Sequence, residues 1–148
     1  MIIGIFDNEF VTCQLDDSLP VLMHRWKQAP PSEEFEFTLK RILDEYKIRV
    51  KTYPTLAWLV DAALLGELDE KVEKWLVEVW ERMLFEDAGV RIHAVILGQS
   101  IYADYPMEKF KQDAEAKFEK FNVHLGVFSN QREAYEWIHQ QQLLKQNL

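Results

Sequence analysis

The chain has 148 residues, of which 48% are apolar, so it has the usual size of one domain with a substantial core. Its net charge of −8 would repel a phosphate backbone, which argues against nucleic-acid binding. The lone Cys13 cannot form an intramolecular disulfide, and the apolar residues 1–6 lack a basic leader. We therefore expect a cytoplasmic protein without a signal peptide or a membrane span.

Three short apolar stretches open the chain and predict strands at residues 2–6, 10–15 and 21–26. The turn-forming cluster Asp16, Asp17 and Ser18 separates the second stretch from the third, which predicts an antiparallel hairpin with the first stretch as a further partner. Pro30 and Pro31 end this region because each removes a backbone donor.

A helix is predicted from Ser32 to about residues 47–50. Ser32 can accept hydrogen bonds from the free amides of the first turn, and Glu33 and Glu34 suit the positive end of the helix dipole. One apolar stripe recurs at spacings of three and four and should face a sheet: Phe35, Leu39, Ile42, Leu43 and Tyr46.

The central strand is predicted at residues 55–60, a nearly continuous apolar run that ends on Asp61, as expected for a strand covered on both faces. Asp69 can cap a long helix, and Gly89 marks its end. The predicted buried face of this helix consists of Val72, Trp75, Leu76, Val79, Trp80 and Met83.

Strands and helices alternate in the rest of the chain, with strands predicted at 91–97 and 122–128 and a helix at 105–121. Ser129 or Asn130 should cap a final helix, and the polar residues after Gln140 are expected to fray. Its packing face should contain Ala134, Trp137 and Ile138.

This order of elements predicts an α/β fold, because alternating strands and helices form right-handed crossovers between parallel strands. We expect a mixed sheet in which an N-terminal antiparallel hairpin is followed by alternating helices and parallel strands. Residues 1–140 should form a single domain, and residues 141–148 a polar C-terminal tail.

The order of elements and several sequence passages resemble the SpoIIAA-like, or STAS-like, proteins. The passages are Trp-Leu-Val-Asp at 58–61, the helix with Trp75, Leu76 and Trp80, the stretch from Ala-Gly-Val at 88–90 to residue 97, and Ala-Tyr-Glu-Trp-Ile at 134–138. The resemblance implies a bacterial fold that is shared by anti-sigma-factor antagonists and related to lipid-binding SEC14-type domains.

In the phosphorylation-switched branch of that family, a Ser or Thr lies in a short Asp-Ser-Ser-Gly-like loop after the central strand. Here residues 61–69 correspond to that loop and contain no hydroxyl side chain. The resemblance therefore does not carry the phosphorylation switch to this chain. Asp61 matches the acidic residue of the loop, and we expect it to organise the loop.

No catalytic, cofactor or metal motif is recognisable in the sequence, so we expect a protein that is not an enzyme and has no cofactor. His93 and His124 could approach each other if their strands are neighbours, but no further ligand joins them, which favours a structural or solvated role. Cys13 is expected to be an inert core thiol. The glycines and serines form neither a phosphate-binding loop nor a nucleophile elbow.

The candidate binding residues lie near the carboxyl end of the central strand, where open α/β sheets present functional groups. The loop after Asp61 is unusually apolar, which indicates an interface or a pocket, although it can also fold back onto the core. The predicted binding residues are Asp61, Leu64, Leu65, Trp80, Tyr102 and Tyr105.

Two functions fit this pattern. The first is a non-enzymatic regulatory or protein-interaction module, which binds a protein partner or forms a homodimer through loop 62–68 and the following helix. The alternative is a carrier or sensor that holds a small apolar or lipid-like ligand between that helix and the helix that begins near Tyr105.

Overall fold

The computed structural model describes residues 1–66, 68–97 and 122–146, together with Gln112, Ala116 and Glu119. In this part of the chain, six strands form one sheet in the sequential order β1 to β6. The strands are β1 (Ile2–Asp7), β2 (Val11–Asp16), β3 (Val21–Trp26), β4 (Ala57–Ala62), β5 (Ile92–Leu97) and β6 (His124–Phe128).

The sheet is mixed, as the sequence predicts. Strands β1, β2 and β3 pair antiparallel, and β3, β4, β5 and β6 pair parallel. The parallel strands therefore end at one edge of the sheet, which we call the carboxyl edge. Strand β5 is buried along its whole length, as expected for an inner parallel strand covered on both faces.

Helices cover both faces of the sheet. On one face, helix α1 (Ser32–Arg49) and the chain after β4 enclose the larger core, which includes Leu22, Trp58, Val95 and Leu125. On the other face, helix α3 (Gln131–Gln146) packs against β4, β5 and β6 and buries Ala134 and Ile138. Within the described residues, no helix combines the length and hydropathy that crossing a bilayer requires.

The helix after β4 differs from the prediction in its inward face. Helix α2 (Glu70–Trp75) continues into two π-helical segments, Leu76–Trp80 and Met83–Asp87. Each π turn adds a residue to the turn, so the buried positions shift along the sequence. Val79 is consequently exposed, whereas Leu84 and Phe85 enter the core. Gly89, with φ of +76°, follows the last turn, as predicted.

The N-caps of helices α1 and α3 compare differently with the prediction. Helix α1 has Pro31 at its N-cap without a side-chain cap, and Ser32 instead donates to Asp69 Oδ2 at 2.7 Å. Asn130, the second of the two predicted caps of α3, accepts from the Glu133 amide at 2.9 Å.

Helix α3 continues beyond Gln140, so the predicted fraying is wrong as far as Gln146. The cause is Gln142, which is 3% exposed and donates through Nε2 to the carbonyls of Pro20, at 2.8 Å, and Thr55, at 3.2 Å. These bonds fix the last helical turns to the start of the parallel strands. The helix predicted at 105–121 lies mostly outside the described residues.

Candidate functional site

Asp61 organises the chain at the carboxyl edge of β4. Its Oδ1 accepts from the amide of Ala63 at 3.1 Å, which fixes the first turn after the strand. Its Oδ2 accepts from Arg25 Nε at 3.0 Å, which joins β4 to the neighbouring end of β3. The side chain is 13% exposed, so this ion pair is partly shielded from water. The prediction that Asp61 organises the loop is confirmed.

Arg25 is a central residue of this edge that the sequence analysis missed. Besides its bond to Asp61, its Nη2 donates to Gln131 Oε1 at 2.9 Å, at the start of α3. One side chain thus joins three elements of the fold. The signal available in the sequence was a single charged residue in strand β3, whose other residues, apart from His24, are apolar.

The loop after Asp61 presents its two leucines in opposite directions. Leu64 is 67% exposed, whereas Leu65 is 8% exposed and belongs to the larger core. The Leu65 amide donates to the carbonyl of Ala62 at 3.2 Å, and Gly66 follows with φ of +77°, a conformation that favours glycine. The loop is therefore a defined turn that places one leucine outside and one inside.

Trp80, another predicted binding residue, lies in the core. It is 6% exposed, and its ring lies 5.8 Å from that of Trp58 and 5.6 Å from that of Trp75, measured between centroids. Tyr102 and Tyr105 lie outside the described residues. The structure therefore joins Asp61 to Arg25, and Arg25 to Gln131, at the carboxyl edge, and Leu64 follows in the turn after Asp61. The alternative ligand site beside the helix from Tyr105 stays a prediction.

Metal ligands and the cysteine are two possible sources of reactivity in the described residues. Among residues 1–66, 68–97 and 122–146, no three His, Cys, Asp or Glu side chains lie where they could share a metal ion. Cys13 is fully buried on β2, and burial raises the pKa of its thiol to about 12, so the thiolate needed for nucleophilic attack does not form near neutral pH.

His93 and His124 do lie on neighbouring strands, but their imidazoles do not meet. In the register of β5 and β6, His124 is opposite Ile92, so His93 points to the other face of the sheet. His93 is buried and His124 is exposed. The structure instead places His93 on the same face as His24, a histidine for which the sequence analysis assigned no role.

Comparison with known proteins identifies the fold of the chain. It is similar to the structure of an uncharacterized protein from the DUF3478 family with a SpoIIAA-like fold, from Shewanella loihica PV-4. The similarity has a TM-score of 0.55 at 12% sequence identity, and covers 91% of this chain and 99% of that chain. No protein-family model and no curated protein matches the sequence. The chain therefore has a SpoIIAA-like fold, as its sequence predicts.

Proposed function

We propose that this protein, with its SpoIIAA-like fold, is a non-enzymatic regulatory module that binds a protein partner through the Leu64 surface. We define the Leu64 surface as Leu64, in the turn after β4, together with Arg25, Asp61 and Gln131, which hydrogen bonds join at the carboxyl edge. The observation that carries the proposal is the exposure of Leu64, 67%, in a loop whose neighbouring Ala62 and Leu65 are buried.

The geometry of the loop supports a binding role because it holds Leu64 in place before any partner arrives. Asp61 fixes the turn through the Ala63 amide, and the buried Leu65 anchors the other side of Leu64. A side chain held in its bound position loses less conformational entropy on association, which favours affinity. Interfaces usually have an apolar centre and a polar rim, and the exposed Leu64 and the polar Arg25, Asp61 and Gln131 could supply the two parts.

The engagement of the Asp61 carboxylate supports a positioning role for this residue. Both oxygens accept hydrogen bonds, one from the Ala63 amide and one from Arg25. In this proposal Asp61 is a positioning group for the loop, and Arg25 supplies the partly exposed charge at the rim.

The composition of the loop indicates how this module would differ from phosphorylation-switched ones. Residues 61–69 contain no hydroxyl group, and Asp69 caps helix α2 by accepting from the Val72 amide at 2.8 Å. Partner binding would therefore depend on partner concentration or on a second signal, rather than on phosphorylation of this loop. We further propose that the protein is bacterial and cytoplasmic. A second copy of the chain is one of the partners to be tested.

The test compares the wild type with Leu64→Asp and with Ile48→Asp. Ile48 is a matched control because it is 62% exposed and lies on α1, outside the Leu64 surface. We expect a partner that is captured from cells by the wild type and by Ile48→Asp, and is lost from Leu64→Asp. If the partner is a second copy, sedimentation should show the same pattern. Equal capture and equal association of all three folded proteins would contradict the proposal.

A further inference from the structure

Two large apolar side chains are exposed on the outer side of helix α1, away from the stripe that packs in the core. Phe37 is 70% exposed and Ile48 is 62% exposed. They lie 11 positions apart in the sequence, or about three turns at 3.6 residues per turn, so both side chains are on the same side of the helix. Apolar residues that recur on one exposed helix face are the arrangement on which helix pairs are built.

Opposite charges lie between these two apolar residues. Arg41 and Asp44 are exposed and follow Phe37 by four and seven positions, which places them on the same side of the helix. We call these four residues the outer face of α1: Phe37, Arg41, Asp44 and Ile48. Their order is apolar, basic, acidic, apolar, which becomes apolar, acidic, basic, apolar in the reverse direction. The outer face therefore matches a second copy of itself that runs in the opposite direction.

The two ends of α1 have the same complementarity. Glu33 and Glu34 are in its first turn, and Lys47 and Arg49 are in its last turn. Charges of these signs also stabilise a single helix through its dipole, and Glu45 pairs with Arg49 within α1 at 3.2 Å, so the end charges alone would not indicate a partner. In an antiparallel pair of α1 helices, however, the acidic turn of each copy lies beside the basic turn of the other.

We infer that the outer face of α1 binds a second copy of this chain, with the two α1 helices antiparallel across a two-fold axis. Phe37 of each copy then packs against Ile48 of the other copy, and Arg41 pairs with Asp44 of the other copy. A two-fold contact uses the same surface on both copies, so it closes as a dimer. A parallel pair would place Arg41 beside Arg41, and this repulsion selects the antiparallel direction.

The structure also restrains Arg41 before a second copy binds. Its guanidinium carbon lies 3.9 Å from the centroid of the Phe6 ring on β1, which is a cation–π contact. A restrained side chain loses less conformational entropy on association. Because α1 has 18 residues and is about 27 Å long, one helix from each copy gives a small interface. Small interfaces are usually weak, so we expect a dissociation constant between micromolar and millimolar.

Sedimentation of the purified protein, in a concentration series from micromolar to millimolar, tests the inference. We expect the wild type to dimerise and Phe37→Asp to stay monomeric. Leu144→Asp is the matched control because Leu144 is 61% exposed on α3, and it should dimerise like the wild type. Circular dichroism checks that the three proteins fold alike. A wild type that is monomeric throughout the series, or a dimer that Phe37→Asp weakens no more than Leu144→Asp does, would overturn the inference.

An exchange of charges tests the antiparallel direction. Asp44→Arg places two basic side chains opposite each other on both sides of the two-fold axis, so it should raise the dissociation constant about tenfold or more. The double variant with Arg41→Asp and Asp44→Arg restores opposite charges across the axis and should recover most of the affinity. Equal dissociation constants for Asp44→Arg and the wild type, or no recovery in the double variant, would overturn the antiparallel pairing.

Variants of the two surfaces separate this dimer from the proposed function. Leu64→Asp should keep its self-association and lose the partner that is captured from cells, because Leu64 lies in the loop after β4 and not on α1. Ile48→Asp should lose its self-association and keep that partner. Self-association that is lost from Leu64→Asp and kept by Ile48→Asp would overturn the inference and leave the Leu64 surface supported.

Discussion

Alanine substitution of the two adjacent leucines in the loop after β4 tests the geometry on which the proposed function depends. Leu65 is 8% exposed and packs in the larger core, so Leu65→Ala removes buried apolar surface and leaves a cavity. Burial of a leucine side chain contributes about 1.5–3 kcal/mol, and a core cavity adds to its loss. Because a loop can partly collapse into the space, we expect the free energy of unfolding to fall by about 2–3 kcal/mol.

Leu64→Ala is the matched comparison, since it removes the same atoms from a side chain that is 67% exposed. We expect its effect on the free energy of unfolding to stay within about 0.5 kcal/mol. Urea denaturation followed by tryptophan fluorescence measures both variants, provided that the slope of the transition is unchanged. A loss for Leu64→Ala that equals the loss for Leu65→Ala would show that both leucines are in the core, and would refute the proposed surface.

Three further predictions concern the cap of α2, the end of α3 and the buried imidazoles. Asp69→Ala should lower the urea midpoint because the Val72 amide loses its acceptor, whereas Asp69→Asn, which keeps an acceptor oxygen, should be close to the wild type. Gln142→Ala should lower the free energy of unfolding by about 1–3 kcal/mol in the same assay, because it removes a buried side chain that donates to two carbonyls. Gln140→Ala is the control, and it should leave the free energy of unfolding unchanged because Gln140 is exposed. Burial lowers the folded-state pKa of His24 to about 3 and that of His93 to about 4, from an ordinary value of 6.5, so the unfolded chain binds more protons in acid. The part of the stability that these two rings contribute should be intact above pH 6.5 and should fall as the pH decreases from 6.5 to about 3. Urea titrations of the wild type and His93→Leu should differ between pH 6.5 and about 4, because the variant lacks the part of this loss that comes from His93.

The fold was predictable from the sequence because its signals are local. Strands β1 to β6 are short apolar runs that end at turn residues, and Asp69, Gly89 and Asn130 mark helix ends through their own backbone or side-chain geometry. Asp61 could be assigned to the loop for the same reason, since its partner amide is two residues away. Local patterns of this kind appear in the sequence at the position where they act.

Two features were missed, one that depends on partners far apart in the chain and one that depends on the local type of helix. Arg25 contacts Asp61 and Gln131, and no sequence spacing relates these residues. The inward face of the helix after β4 was misplaced because an apolar stripe read at 3.6 residues per turn assumes an α-helix, and the two π-helical segments shift it.

Whether His93 and His124 meet could not be deduced from the sequence, for a related reason. Strand order shows that β5 and β6 are neighbours, but only the register shows that His93 and His124 point to opposite faces. The register also brings His93 to the same face as His24, which lies 69 positions earlier in the sequence. Side-chain contacts across several strands cannot be deduced without that register.

The most direct measurement of the central claim is photo-crosslinking in cells with a photoreactive phenylalanine analogue at position 64 and, in parallel, at position 48. Both positions are exposed, so the two proteins should fold alike and meet the same cellular proteins. The proposed function predicts a discrete crosslinked partner from position 64 that is absent from position 48. The same adducts from both positions, or none from position 64 in the folded protein, would contradict a binding role for the Leu64 surface.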